Sequence, residues 1–156
     1  MNIKSMTKAA ILAAVYVVLT IAFGEFSYGP IQFRIAEALV ILPMVEPSAI
    51  LGVFLGCMIA NIFGGYGLID IIGGSLVTLV AAYITSKMPN KVLGALPPVI
   101  LNALIVSIWL NKLTNIPYIA IVLNIALGEI AAVGVLGIPL LTIYDKYIKN
   151  STRDSI

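Results

Sequence analysis

Long stretches without a charged residue dominate this sequence and restrict it to a membrane fold. The charge-free runs cover residues 9–24, 38–45, 47–69, 71–86, 92–111, 113–128 and 130–144. Hydrophobic residues make up 61% of the 156 positions and charged residues 10%, whereas soluble domains are about half apolar and about one-quarter charged. Since only a lipid bilayer solvates so much apolar surface, the composition excludes a disordered chain, a nucleic-acid-binding protein and an ordinary soluble enzyme.

The apolar runs predict an all-α membrane protein, folded as a compact bundle of six transmembrane helices. We place these helices near residues 8–24, 33–45, 48–64, 68–86, 93–111 and 118–146. This number of helices leaves only short loops, so we expect residues 1–156 to form a single integral membrane domain. The second helix is the shortest, because its apolar stretch reaches only about 18 Å against a hydrocarbon core of about 30 Å.

Basic residues predict the orientation in the cell membrane. Cytoplasmic loops are enriched in lysine and arginine, and both ends of the chain are basic, so we expect both termini to be cytoplasmic. An even number of crossings follows, which includes the short second helix. The residues assigned to the cytoplasmic side are Lys4, Lys8, Lys87, Lys91, Lys146, Lys149 and Arg153. As an alternative, the first 24 residues have the basic start, apolar run and small-residue site of a secretory signal.

Small residues recur every four positions on two of the predicted helices. On the first helix they form overlapping pairs, and on the third they form the stripe Gly52, Gly56 and Ala60. Such spacing lets helix backbones approach closely in lipid. We expect the glycine stripe to pack inside the bundle, while the alanine pairs serve either internal packing or a partner helix. The candidate docking residues are Ala9, Ala10, Ala13 and Ala14.

Ionisable and amide side chains gather toward the predicted outer side. Glu129 is different, since it lies near the bilayer midplane, where a carboxylate costs roughly 2.5–3.5 kcal/mol. It therefore needs a polar cavity, a donor or a proton. We predict an outward-facing substrate-binding pocket formed by Gln32, Arg34, Glu37, Asn61, Tyr66, Asp70, Asn102, Trp109, Asn124 and Glu129. Two structural alternatives stay open: an Arg34–Glu37 ion pair at helical spacing and amides that only join helices.

Aromatic residues are concentrated at the same side and predict a flat ligand. Interfacial belts normally form at both faces of the membrane, so a belt does not explain the imbalance. A carboxylate can accept paired hydrogen bonds from a guanine-type ring N–H and amino group, which favours a small, nitrogen-rich molecule. Residues 25–33 contain a Gly29-Pro30 turn and could fold over the pocket as a lid, or form a static loop.

The residues that are absent argue against catalysis. The sequence has no histidine and one cysteine, Cys57, so the commonest general base is missing and a thiolate metal cluster cannot form. No phosphate-binding loop of the Gly-x-x-x-x-Gly-Lys-Ser/Thr type occurs, and no nucleophile–base pair is visible. We therefore expect no catalytic residue, no cofactor and no metal. An intramembrane enzyme is the weakest of the possible classes.

The segment SYGPIQFRIAEALVILP, residues 27–43, resembles the QueT family of queuosine-precursor-binding subunits (S components) of energy-coupling factor (ECF) transporters. The preceding KAAILAAVYVVLTIAF is similar in character to that family's first helix. The resemblance implies a six-helix protein that captures a 7-deazaguanine, such as 7-aminomethyl-7-deazaguanine or queuine, near the extracellular face. It also implies docking, through the alanine pairs, on a membrane coupling protein (T component) that carries two cytoplasmic ATPases. The competing interpretation is a stand-alone secondary transporter with Glu129 as its proton carrier.

Overall fold

A computed structural model describes residues 2–28 and 33–153, and helices account for nearly all of them. We number them α1 (Ile3–Ala22), α2 (Gly24–Ser27), α3 (Ile35–Met44), α4 (Ser48–Gly64), α5 (Ile69–Thr85), α6 (Lys91–Thr114) and α7 (Tyr118–Ile148, continuing to Arg153). Each helix expected from the sequence is present. Two details differ: α3 is a 3₁₀-helix, and residues 25–27, expected in a loop, belong to the short helix α2.

Within the described residues, three helices are long and apolar enough to cross a membrane. They are Ile3–Ala22, Lys91–Thr114 and Tyr118–Ile148. The apolar helices α3, α4 and α5 are shorter and pack between and around these long ones. Many large apolar side chains are exposed on the outer surface, as expected of a protein whose solvent is lipid. The chain is therefore an all-helical membrane protein.

Hydrogen bonds at the two ends of the bundle show how the helices alternate in direction. At the end that holds Arg34, the Tyr28 hydroxyl donates to the Ala60 carbonyl, and the Asn61 amide donates to the Asp70 carbonyl. At the opposite end, which holds Glu46, Thr85 donates to Gly94 and Lys91 donates to Thr142. We call these the Arg34 end and the Glu46 end. The successive helices α1, α3, α4, α5, α6 and α7 therefore run in alternating directions between these two ends.

An ion pair fixes the Glu46 end. Lys8 Nζ lies 2.5 Å from Glu46 Oε2, and Ser48 Oγ donates to Glu46 Oε1 at 2.7 Å. Burial alone would raise the pKa of Glu46, but the hydrogen bonds from Lys8 and Ser48 outweigh it and hold that pKa below its ordinary value. This contact ties the first helix to the connection between α3 and α4, at the end farthest from Arg34.

Helices α1 and α4 approach each other through the small residues noted in the sequence. A Cβ added to Gly52 would stand 2.9 Å from the Ala9 carbonyl oxygen, and one added to Gly56 would stand 2.7 Å from Tyr16 Cβ. Ala9 and Ala13 are buried in this contact, whereas Ala10 and Ala14 on the neighbouring face are exposed. The glycine stripe thus packs inside the bundle as expected, and the two alanine pairs have different surroundings.

We predict that Gly56→Ala destabilises the protein, because its new methyl group would stand 2.7 Å from Tyr16 Cβ and 3.0 Å from the Ala13 carbonyl oxygen, so that α1 and α4 would have to move apart. Overpacking of this kind costs about 1–3 kcal/mol. The matched control is Gly134→Ala in α7, where the nearest atom lies 4.0 Å from the added Cβ. Thermal unfolding in detergent should show a lower midpoint for Gly56→Ala and an unchanged one for Gly134→Ala. Equal midpoints would contradict the close contact.

The described residues include three π-helical segments, one at the start of α5 and two near the middle of α6 and α7. They span Ile69–Gly74 in α5, Asn102–Val106 in α6 and Ile130–Gly137 in α7. Each begins within one residue of a buried polar side chain, namely Asp70, Asn102 or Glu129. Such insertions are rare and are frequent at functional sites. These three side chains line a common cavity inside the bundle.

Candidate functional site

A small polar cavity lies inside the bundle, toward the Arg34 end. Its volume is ≈ 20 Å³, and its lining combines charged and amide side chains with a few apolar ones. The lining residues are Arg34, Glu37, Asp70, Gly74, Thr78, Asn102, Val106, Ile125 and Glu129. They come from α5, α6, α7, α3 and the residue before α3, so the site exists only in the assembled bundle.

Arg34 is held rigidly at the mouth of this cavity. It precedes α3 in an extended conformation, and its Nη1 donates to Asn61 Oδ1 at 2.9 Å while its Nε donates to the Ser27 carbonyl at 3.2 Å. Its Nη2 lies 3.9 Å from Asp70 Oδ2, and its guanidinium carbon lies 5.6 Å from the centre of the Tyr28 ring. These contacts use the fixed fork of guanidinium donors to orient one positive charge.

Asp70 is the acidic partner of Arg34 and is itself fixed by a tryptophan. Trp109 Nε1 donates to Asp70 Oδ1 at 3.1 Å, and the Asn61 amide donates to the Asp70 carbonyl at 2.9 Å. Gly74 makes room for this arrangement, since a Cβ there would stand 3.0 Å from Asn61 Nδ2 and 3.2 Å from Asp70 Oδ1. The Arg34–Asp70 pair therefore joins α3, α4, α5 and α6 around the cavity.

Two glutamates complete the polar lining, each with a neutral donor. The Tyr16 hydroxyl donates to Glu37 Oε1 from the centre of α1, and Asn102 Nδ2 donates to Glu129 Oε1 at 2.5 Å. Both carboxylates are almost fully buried, with 3% and 6% of their surface exposed. Glu129 thus has a hydrogen-bond donor and a polar cavity, as expected of a carboxylate near the bilayer midplane.

Four buried oxygen atoms at the site have no hydrogen-bond partner in the described part of the chain. They are Ser27 Oγ, Glu37 Oε2, Asp70 Oδ2 and Glu129 Oε2. Buried polar groups are nearly always satisfied in native proteins, so a cluster of unsatisfied ones needs an explanation. Three of the four belong to carboxylates that line the same cavity. The cavity is therefore built to receive hydrogen-bond donors.

The structure brings together half of the predicted pocket. Arg34, Glu37, Asp70, Asn102 and Glu129 line the cavity. Other members support it from outside: Asn61 and Trp109 hold Arg34 and Asp70, and the Tyr66 hydroxyl donates to the Tyr28 carbonyl at 2.8 Å. Asn124 is half-buried on α7 but is not among the described lining residues. Gln32 and the Gly29-Pro30 turn lie outside the described residues.

One structural alternative left open by the sequence, the Arg34–Glu37 ion pair, is not found, and the expected aromatic walls are not found around the cavity in the described residues. Arg34 does not pair with Glu37 at helical spacing, because Arg34 precedes the helix and turns toward Asp70 on another element. Aromatic rings do not line the cavity in the described residues; Phe23, Phe26 and Phe63 are exposed on the outer surface instead. The flat side chains at this end face the membrane or brace the polar groups.

Sequence reasoning missed Tyr16 and Thr78. Tyr16 is completely buried and donates to Glu37; it follows Ala9 and Ala13 at helical spacing on the buried face of α1, and that periodicity was the available signal. Thr78 lines the cavity four residues after Gly74. Its hydroxyl donates to the Gly74 carbonyl at 3.1 Å, so it shares one face of α5 with Asp70.

The cavity is too small for a ring compound. One water molecule needs about 10–15 Å³, and sites that hold drug-sized ligands measure about 300–1,000 Å³, so ≈ 20 Å³ admits no ring compound. Hydrogen bonds close the Arg34 end above it: Phe33 N donates to the Phe26 carbonyl at 2.9 Å, and Tyr28 is tied to Ala60. A ring-sized ligand can enter only if these elements move apart.

A buried polar cavity with unsatisfied acceptors, enclosed by apolar helices, defines the chain as a membrane protein that handles a polar solute. The model of the QueT transporter family matches residues 6–146. The chain therefore belongs to the QueT transporter family, and its class is transport rather than catalysis.

A curated relative agrees with this family. The queuosine precursor transporter QueT of Lactococcus lactis subsp. cremoris (strain MG1363) is 47% identical over 73 residues, which cover 46% of this chain and 43% of the relative. The matched part thus spans less than half the length of that protein. No solved structure matches the chain.

Proposed function

We propose that this protein is the membrane-embedded substrate-binding subunit of an ECF-type importer and that it captures a queuosine precursor of the 7-deazaguanine class. The observation that carries the proposal is the group of buried carboxylate oxygens without partners beside a fixed guanidinium. A guanine-type edge presents a ring N–H and an amino group side by side, and a carboxylate accepts both. The Arg34 and Asn102 side chains supply donors for the ring carbonyl.

The alternating helices support a six-span topology with both termini in the cytoplasm. In this arrangement α3 crosses together with α1 and α4, and the Glu46 end faces the cytoplasm with most of the basic residues. The cavity then lies toward the extracellular side, where a captured solute enters. The substrate site and the lysine-rich end are thus at opposite sides of one domain formed by residues 1–156.

The ATP-driven step requires partners, namely a T component and two cytoplasmic ATPases. The exposed face of α1 that holds Ala10 and Ala14 supports this part of the proposal, since small side chains let a partner helix approach. Ala9 and Ala13 are already covered by α4, so we assign docking to the exposed pair. The chain requires no cofactor or metal for capture.

Binding without ATP tests the capture role. We expect purified protein in detergent to bind 7-aminomethyl-7-deazaguanine and not riboflavin or thiamine, because only the first presents a guanine-type edge. Trp109 is the single tryptophan and donates to Asp70 beside the cavity, so its fluorescence reports the titration. Calorimetry gives the affinity independently. Equal binding of all three compounds would reject the assignment.

A stand-alone proton-coupled transporter is the second candidate, and Glu129 is the observation that favours it. A buried carboxylate with one free oxygen can carry a proton across the membrane. Vesicles that contain only this chain separate the two candidates. Uptake driven by a proton gradient would support the secondary transporter, whereas uptake that requires the ATPase partners would support the importer subunit.

A further inference from the structure

The cavity contains more carboxylates than its own cation can neutralise. Arg34 is the one basic residue among the described lining residues, and its Nη2 is 3.9 Å from Asp70 Oδ2. Within the described part of the chain, no lysine or arginine lies at ion-pair distance from Glu37 or Glu129. If the three carboxylates are ionised, the lining carries a net negative charge in a place where burial makes unpaired charge costly.

Both extra carboxylates are directed into the cavity with one oxygen free. Glu37 and Glu129 each accept one bond from a neutral donor, Tyr16 or Asn102, and each keeps a buried Oε2 without a partner. The described residues contain no group of three metal-ligating side chains placed to hold an ion, so the lining is not arranged as a metal site. The missing positive charge can be supplied either by a proton on a glutamate or by a cationic group of the bound solute.

We propose that Glu37 and Glu129 select a substrate that carries a protonated amine in addition to its guanine-like edge. One carboxylate accepts the ring N–H and amino group, and the other accepts the ammonium, so that the occupied cavity approaches neutrality. This proposal rests on the capture of a 7-deazaguanine proposed above and adds the feature that decides between precursors. It predicts a preference for an aminomethyl substituent over a nitrile at the 7 position.

Two ligands with the same ring test the preference. The affinities of 7-aminomethyl-7-deazaguanine and 7-cyano-7-deazaguanine for the full chain are measured by calorimetry and by Trp109 fluorescence. Because a charge-assisted hydrogen bond is lost with the nitrile, we expect it to bind about 10- to 100-fold more weakly. Equal affinities would overturn the proposal and leave capture of 7-deazaguanines intact. Failure of both ligands to bind would reject the proposed function itself.

Isosteric variants show which glutamate binds the ring edge and which binds the ammonium. We expect one of Glu37→Gln and Glu129→Gln to weaken only the amine, so that the preference disappears, and the other to weaken both ligands together. The matched control is Glu25→Gln, which removes an exposed carboxylate on α2 at the same end of the bundle and should change neither affinity. A preference that persists in both cavity variants would overturn the proposal, and thermal unfolding confirms that each variant is folded.

Discussion

Replacing Arg34 with methionine should abolish substrate binding and lower the stability of the protein. The substitution keeps an apolar stem but removes the charge that lies 3.9 Å from Asp70 and the donor that holds Asn61. Breaking one partner of a buried pair costs about 3–5 kcal/mol, because the other charge is left uncompensated. If the whole of this cost appears in the free energy of ligand binding, the affinity decreases by about 100- to 1,000-fold or more.

A second substitution separates the effect of Arg34 on stability from its effect on ligand binding. In the Arg34→Met background, Asp70→Asn removes the stranded carboxylate while leaving an acceptor for the Trp109 N–H. We expect the double variant to regain most of the lost thermal stability but not the binding of 7-aminomethyl-7-deazaguanine, since the guanidinium is still absent. Double-mutant cycles isolate the pair in this way.

The control for this prediction is Lys112→Met, which removes a basic residue in the last turn of α6. Lys112 is exposed, and exposed charges contribute little, so binding and the unfolding midpoint should stay at wild-type values. An Arg34→Met protein that binds the ligand as tightly as wild type would show that the guanidinium has no part in the site.

The helices were predictable from the sequence because lipid imposes a simple rule. Every backbone group must be satisfied within a segment, so each long apolar run becomes a helix, and the runs around 48–64 and 68–86 are found almost unchanged as α4 and α5. Ionisable residues inside such runs are rare, so Glu129 could be recognised as a candidate site residue from its depth, and Asp70 from its place among the polar groups of the outer side.

The geometry of the site was less predictable, because it depends on contacts between distant parts of the chain. Arg34 and Glu37 are three residues apart, yet Arg34 reaches Asp70 because the helix begins one residue after it. In the sequence, Tyr16 is one more aromatic residue in an apolar run. Its role depends on the packing of the helices, because its hydroxyl donates to Glu37 on α3. The π-helical turns beside Asp70, Asn102 and Glu129 leave no pattern in hydropathy.

The two alanine pairs on α1 also could not be distinguished from the sequence alone. Overlapping spacing made the two pairs equivalent in the sequence, but burial separates them: Ala9 and Ala13 face the α4 glycines, and Ala10 and Ala14 face outward. If the exposed pair forms the proposed docking face, Ala14→Trp should reduce ATP-driven uptake to background, because a large ring prevents the close approach of a partner helix.

Ligand binding should be unchanged in Ala14→Trp, because the residue lies on the exposed side of α1, away from the buried Tyr16 that donates to Glu37. Uptake of labelled 7-aminomethyl-7-deazaguanine into vesicles containing the coupling protein and ATPases gives the transport rate, and co-purification gives the docking step. The control is Leu127→Trp, which adds an indole to the exposed surface of α7 and should leave uptake intact. Normal uptake and co-purification in Ala14→Trp would place the docking face elsewhere, whereas equal losses in both variants would point to a general effect of added bulk in the membrane.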